Sequence, residues 1–476
     1  MKLLGGKKFK ACFAPVLLAG VAGLLATGCK TYEQQNKVIR NWQGGNLPGA
    51  VAEAKLQADG NANNKDAIIW RLEQGAVLRA TGQYADSNDA FDKAEAKIDD
   101  YARKAKIRVG QETGALLSNQ AELDYEGRSY DGIMLNTYKA LNYLALGQPD
   151  KARPEIIHAY QRQQDAVAAN QKRIEEVQDE AAKNTNSVAI QKAQADPKFQ
   201  AQMQGTNYAN LNGLQAYADY VNPFTVYLDG LYFMANAADA SDLERARKSF
   251  ERVGSFAPDN GYVKQDLATA EGMIHGQSLP AVTYVIFETG CAPERGQIRI
   301  DIPIIVSKVS YVGAAFPTLK LQYNFMPGLT VTAGGTSVPT ALVASMDGVV
   351  ATDFKNEMPV VITKTIAATV VKAVAAYAAN EAARQGGGDL GGLFMQIGTA
   401  VYQMAVNIAD ERTWTTLPKE FQVARLATPA DRRIDLTTPN GVKTSVTIGD
   451  GTVNVVYVKS INNAGTPLLV SQFKLK

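Results

Sequence analysis

Apolar and polar residues follow two rhythms along this chain, and the change falls at Leu279-Pro280. After it, Val282, Tyr284 and Ile286 lead a β-branched run, and Ile298, Ile300 and Ile302 alternate with Arg299 and Asp301. A further run covers Val306 to Val312. A period of two bounded by Gly and Pro predicts strands of a half-exposed sheet. Gly334-Gly335, Asn440-Gly441 and Asp450-Gly451 are two-residue turn signals. They bound strands expected at Ile434–Leu436, Val442–Ile448 and Thr452–Lys459, with others at Phe421–Leu426 and Leu468–Leu475. A different element interrupts these strands. Pro359 is expected to open an alanine-rich helix that runs through Ala383, with Ile362, Ile366, Val370, Val374 and Tyr377 on one face. The break Gln385–Gly392 and the uncharged run Leu393–Ala409 complete a predicted antiparallel hairpin.

Before Leu279 the rhythm is helical. Gly75 and Leu78 in one helix, Gly82 and Tyr84 in a turn, then Phe91 and Ala94 in the next helix resemble the tetratricopeptide repeat. In that repeat the glycine lets two helices approach, the aromatics fill the wedge, and the alanine allows stacking. Ser87 stands where the family usually has Ala. A second copy runs through Ala140, Tyr143, Gly147, Ala152, Ile156 and Ala159, with Pro149 in place of the turn aromatic. A third carries Gly230, Phe233, Ala246, Phe250, Val253 and Pro258, with about four extra residues in its turn. Trp42, Gly45, Leu47, Ala50 and Ala54 form a fragment of a fourth. An ordinary bundle with small-residue packing fits the same residues. Glu155–Lys183 reads as one long polar helix, and 184–222 as an Asn- and Gln-rich irregular stretch.

The N-terminus changes the picture most. Lys2, Lys7, Lys8 and Lys10 precede an apolar run from Phe13 to Leu25, and Leu25-Ala26-Thr27-Gly28-Cys29 follows. This order is a secretory leader, and its last five residues are those of a bacterial lipoprotein signal. Cys29 is therefore expected to carry acyl chains after removal of residues 1–28, and several chains exceed what stable anchoring needs. Lys30 after the cysteine favours outer-membrane sorting facing the periplasm. The leader takes four of the 49 basic residues and none of the 47 acidic ones, leaving a net charge near −2. That balance argues against a nucleic-acid partner. Cys12 leaves with the leader and Cys29 is acylated, so Cys291 remains as a buried small residue without a disulfide partner.

The fold expected is multidomain α + β: a leader over 1–28, a tether over 29–37, a tetratricopeptide-like helical domain over 38–275, and an antiparallel β-rich domain over 276–476. The last is expected to be a sandwich or partial barrel carrying the helical hairpin 359–409. His158 and His275 are the only histidines, and they fall in different predicted domains. No metalloprotease, redox, nucleophile-elbow, phosphate-loop or calcium-loop motif is present. No cofactor or metal is therefore expected.

One segment is specific. Asp410-Glu411-Arg412-Thr413-Trp414-Thr415-Thr416-Leu417-Pro418 resembles the D-x-R-x-W-x-x-L-P segment of a family of uncharacterised bacterial lipoproteins. Tyr125-Glu126-Gly127, Tyr138–Gly147, Val309–Gly313 and Phe354-Lys355 look like further segments of that family. The resemblance implies tetratricopeptide-like helices joined to a β-rich domain in the cell envelope, and no enzymatic activity. Asp410 and Arg412 are expected to pair and Trp414 to cap the core. As a recognition patch they would instead offer the residue types enriched at hot spots.

The function expected is a non-enzymatic scaffold, anchored to the membrane through lipid and binding envelope proteins. Arg71, Tyr84, Tyr138, Asn142, Arg412 and Trp414 are the candidate partner-binding residues. Two alternatives remain: a homo-oligomeric or pore-accessory element built through the hairpin, and binding or hydrolysis of a glycan or peptidoglycan by the β domain.

Overall fold

The computed structural model describes residues 37–107, 120–205, 208, 211, 213–214, 217–218, 220–306, 309–385, 409–464 and 466–476. The leader, Cys29 and residues 386–408, which hold the second arm of the expected hairpin, lie outside them. Among the described residues no helix is long and apolar enough to cross a membrane.

Helices fill the N-terminal half: α1 (Leu47–Gly60), α2 (Ala67–Ala80), α3 (Tyr84–Ile107), α4 (Ser129–Ala145), α5 (Pro149–Lys183), α6 (Ser187–Gln194), α7 (Pro197–Gly205), α8 (Pro223–Ala235), α9 (Ala240–Phe256) and α10 (Gly261–Ile274). Asn and Asp side chains cap several of them. The Asn222 side chain accepts from the backbone of Phe224 and Thr225 ahead of Pro223, and Asn260 does the same at α10. Glycines with positive φ end α2 and α4, at Gly82 and Gly147. The next amides reach back to the helix, Gln83 N to Leu78 O at 2.9 Å and Gln148 N to Tyr143 O at 2.8 Å. The two turns are therefore built alike. The stretch 184–222, expected to be irregular, contains α6 and α7, each opened by Asn or Asp turn bonds.

The strands are β1 (Val282–Thr289), β2 (Glu294–Val306), β3 (Val309–Lys320), β4 (Thr330–Ala333), β5 (Thr336–Pro339), β6 (Ala341–Ser345), β7 (Glu420–Ala427), β8 (Arg433–Thr437), β9 (Lys443–Thr447), β10 (Val453–Ser460) and β11 (Leu469–Lys474). They form a five-stranded sheet in the order β11-β10-β1-β7-β6, a four-stranded sheet β5-β4-β8-β9 and a two-stranded ribbon β2-β3. Three expectations need correction. The β region is not wholly antiparallel, because β1 and β10 pair in parallel, with Val282 beside Val453. Asp450-Gly451 is not a hairpin turn: it carries the chain from β9 in one sheet to β10 in the other. Pro359 does not open a helix but sits inside α11 (Met346–Gln385). This helix begins where β6 ends, and it packs on α5, α6 and the β2-β3 ribbon.

The layers explain the burial. Val282, Tyr284 and Ile286 of β1 join the helices in one continuous core that runs from Val38 to Leu475. Val285 and Phe287 face the other way and pack with Val331, Ile434 and Leu436 of the four-stranded sheet. Every residue of β1 and β10 is buried, where alternation predicted a half-exposed sheet, because helices cover one face and the four-stranded sheet the other. Helices α4 and α8 are enclosed almost completely, and α2 from Ala67 to Arg79. They lie between the outer helices and the sheet. Phe224 of α8 stacks on Phe421 of β7 at 3.8 Å, and Phe91 of α3 lies over α2. A Cβ on Gly75 would come within 2.4 Å of the Phe91 ring, and one on Gly230 within 2.7 Å of Phe250. The same glycine-on-aromatic contact thus joins α2 to α3 and α8 to α9. At the matching place in the expected second copy, Ala140 and Ile156 are both buried.

Candidate functional site

An opening lies where α1, α2 and the turn after α2 meet the edge of the five-stranded sheet. It is a cavity of about 800 Å³, walled by α1, by Thr81–Tyr84 and by Leu468–Ser471 at the start of β11. Its floor holds five polar side chains: Arg79 from α2, Tyr138 from α4, Glu288 from β1, and Tyr457 and Lys459 from β10. Each position follows from the local fold. Glu288 continues the face of Tyr284 and Ile286, while Tyr457 and Lys459 continue that of Val453 and Val455, so both strands aim these groups at the helices.

Glu288 is the hub. Its carboxylate accepts from Tyr138 Oη at 2.9 Å, from Tyr457 Oη and from Lys459 Nζ. Burial alone would raise its pKa, but the charges of Lys459 and Arg79 outweigh that and keep it below the ordinary carboxylate value. Burial beside the same carboxylate pushes both phenols well above 10. Arg79 is bound differently. Its Nη1 donates to Asn142 Oδ1 at 2.8 Å, and its guanidinium lies 5.2 Å from the Tyr138 ring centre and 4.7 Å from that of Tyr457. Asn142 is fixed in turn by donating to Ser87 and Asn88. Lys459 also lies 4.9 Å from the Trp42 ring. The floor therefore carries two cations and one anion.

The candidate residues named from sequence divide between this floor and the joint behind it. Tyr138 and Tyr84 line the cavity, and Asn142 orients Arg79. Arg71 is buried nearby on α2, bonded to Asp59 at 3.1 Å and Gln74 at 2.7 Å. Arg412 and Trp414 are interior. Arg412 pairs with Asp410 at 2.8 Å and with Asp66 at 3.0 Å, tying the segment after residue 408 to the start of α2. Trp414 packs edge-on to Phe91 and Tyr138, each at 5.8 Å, and its Nε1 donates to Thr416. Thr415 and Thr416 both donate to the buried Glu73 of α2. The Asp-x-Arg-x-Trp segment thus fastens the helical layer to the sheet.

Arg79, Glu288, Tyr457 and Lys459 were not singled out from sequence. A signal for three of them was present: alternation puts Glu288, Tyr457 and Lys459 on the inward faces of all-buried strands, where a polar residue is out of place. A second polar group brings together Glu95, Glu155 and His158, whose ligating atoms lie within 4.8 Å of one another. The cations there are Lys139, whose Nζ is 2.6 Å from Glu95 and 2.8 Å from Glu155, and Arg162, whose Nη2 is 3.1 Å from Glu95. Cys291 is buried, and burial pushes its thiol up to about 11. No family model, curated protein or solved structure matches the chain. The fold and cavity define a mixed α/β protein whose helical layer is covered by its own sheet.

Proposed function

We propose that this protein is a non-enzymatic scaffold of the bacterial cell envelope, anchored through acylated Cys29 to the outer membrane and facing the periplasm. Its helical half consists of tetratricopeptide-like repeats, and it binds a protein partner. The repeat reading is supported by the equivalent contacts Gly75–Phe91 and Gly230–Phe250, and by the matched turns at Gly82 and Gly147. The face of α2, α4 and α8 on which such repeats would receive a peptide is packed here against β1, β7 and β10. The observation that carries the binding reading is the cavity left open where that face meets β11. A partner segment enters there, between α1 and the sheet edge.

The test places a photo-crosslinking residue at Ala52 or Val470, both exposed on the cavity wall, and at Val188, exposed on α6. A discrete second protein joined from 52 and 470 but not from 188 is the expected result. The same adducts from all three positions would refute the assignment. Adducts only between copies of the chain would move the function to self-assembly.

A further inference from the structure

We infer that the cavity recognises the terminal carboxylate of an extended, apolar chain end, with Arg79 as its counter-ion. The inference rests on the cavity being the partner site and specifies what part of the partner it takes.

Charge balance comes first. Lys459 and Glu288 satisfy each other on the floor, and both tyrosine hydroxyls are spent on Glu288. Arg79 is only 8% exposed; it donates to the neutral Asn142 amide, lies against the Tyr138 and Tyr457 rings, and shares the charge of Glu288 with Lys459, so the floor holds one positive charge more than negative. Among the described residues no carboxylate forms an ion pair with it. An excess buried positive charge is costly, and rings offset only part of that cost. A guanidinium presents several donors in one plane, which suits the two oxygens of a carboxylate. Asn142 and the two rings hold that plane in place before a ligand arrives, so little side-chain freedom is lost on binding.

The walls set the rest of the ligand. Leu47, Val51, Ala76 and Leu468 give it an apolar lining. A volume of about 800 Å³ falls within the range of small-ligand pockets and takes roughly two or three residues of a chain end, not a helix. The wall made by β11 is the edge of its sheet, paired only with β10 among the described residues. An unpaired strand edge accepts an extended segment through main-chain hydrogen bonds. A carboxylate at the floor, apolar side chains on the helical wall and an extended backbone along β11 are mutually compatible. An amine-terminated or acidic-side-chain segment meets either the wrong charge or the wrong walls.

The experiment titrates the purified full chain with acetyl-Val-Leu as the free acid and as the amide, with octanoate alongside. Calorimetry gives affinity, and fluorescence of Trp42 and Trp414, which lie behind the floor, reports occupancy. The acid is expected to bind at least tenfold more tightly than the amide and more tightly than octanoate. Arg79→Gln should abolish the preference for acid over amide, and Arg79→Lys should keep part of it. Ala52→Trp, on an exposed position of the wall, should weaken the acid at least tenfold without lowering Tm, which covers the case of an Arg79 variant that does not fold. Equal affinity for acid and amide, an undiminished preference in Arg79→Gln, or unchanged binding in Ala52→Trp would each overturn the inference. So would octanoate binding as tightly as the peptide, because a lipid-like acid would then be the ligand. Crosslinks from 52 and 470 that persist without acid selectivity remove this inference and leave the partner site standing. Acid selectivity without those crosslinks does the reverse.

Discussion

Glu73→Gln tests how the helical layer is fastened to the sheet. Glu73 is fully buried on α2. One carboxylate oxygen accepts from the Thr415 amide and hydroxyl, each at 2.6 Å, and the other from Thr416 Oγ1 at 2.7 Å. That hydroxyl accepts in turn from Trp414 Nε1 at 3.0 Å. Burial pushes the Glu73 pKa up to about 7 from 4.5, even though the threonine hydrogen bonds act to lower it. The folded state therefore binds this proton more tightly than the unfolded state. Its contribution is complete below pH 4.5 and is lost as pH rises through about 7. At 1.36 kcal/mol per pKa unit the loss is about 3 kcal/mol. Glutamine keeps the shape and stays neutral, so the variant should gain about 3 kcal/mol relative to the parent between pH 4 and pH 8. Asp353 and Asp266 are also raised, to about 7 and about 6, but their effects cancel in the difference. Urea unfolding followed by tryptophan fluorescence at both pH values measures it. A relative gain below about 1 kcal/mol, or a change of the opposite sign, would refute the linkage argument.

Three other perturbations probe separate features. Gly75→Ala sets a methyl 2.4 Å from the Phe91 ring and should cost about 1–3 kcal/mol in the same unfolding assay, with Gly230→Ala behaving alike against Phe250. Arg412→Met takes the shared cation from the buried Asp66 and from the half-buried Asp410, which keeps Arg128 at 3.7 Å, and should cost about 3 kcal/mol and lower Tm. Cys291, buried and with its thiol pushed up to about 11, should resist iodoacetamide at pH 7.5 in the folded protein and react within minutes in urea, read by mass spectrometry.

Much of this architecture could be read along the chain where a local rule decides the outcome. Alternation marked β1, β2, β8 and β10, and Gly334-Gly335 and Asn440-Gly441 do turn hairpins, with positive φ at Gly334, Gly335 and Gly441. Asp450-Gly451 has the same composition, yet the strands it joins lie in different sheets. A turn dipeptide specifies a reversal and says nothing about which strand lies alongside. Pro359 failed as a helix start because α11 is anchored earlier, where Met346 N bonds to Lys419 O and Lys419 pairs with Asp347. Tertiary contact outweighed the local preference. The cavity floor joins residues from α2, α4, β1 and β10, brought together by the parallel pairing of β1 with β10. Arg79 in particular carries no local signal, because only the tertiary fold brings the sheet over its helix. Asn142, named as a partner-binding residue, lies inside because a second layer covers the helices, and Trp414, expected either to cap the core or to serve a recognition patch, is buried.

The parallel pairing of β1 with β10 also governs when this protein can become itself. β1 at 282–289 is synthesised well before its neighbour β10 at 453–460 and the edge strand β11 at 469–474. Until they arrive, one long side of the central strand is unpaired and part of the helical layer has no cover. Long-range pairing of this kind slows folding and leaves sticky surface exposed in the meantime. A nascent chain lacking residues 453–476 would be a substrate for chaperones and proteases rather than a shortened working protein.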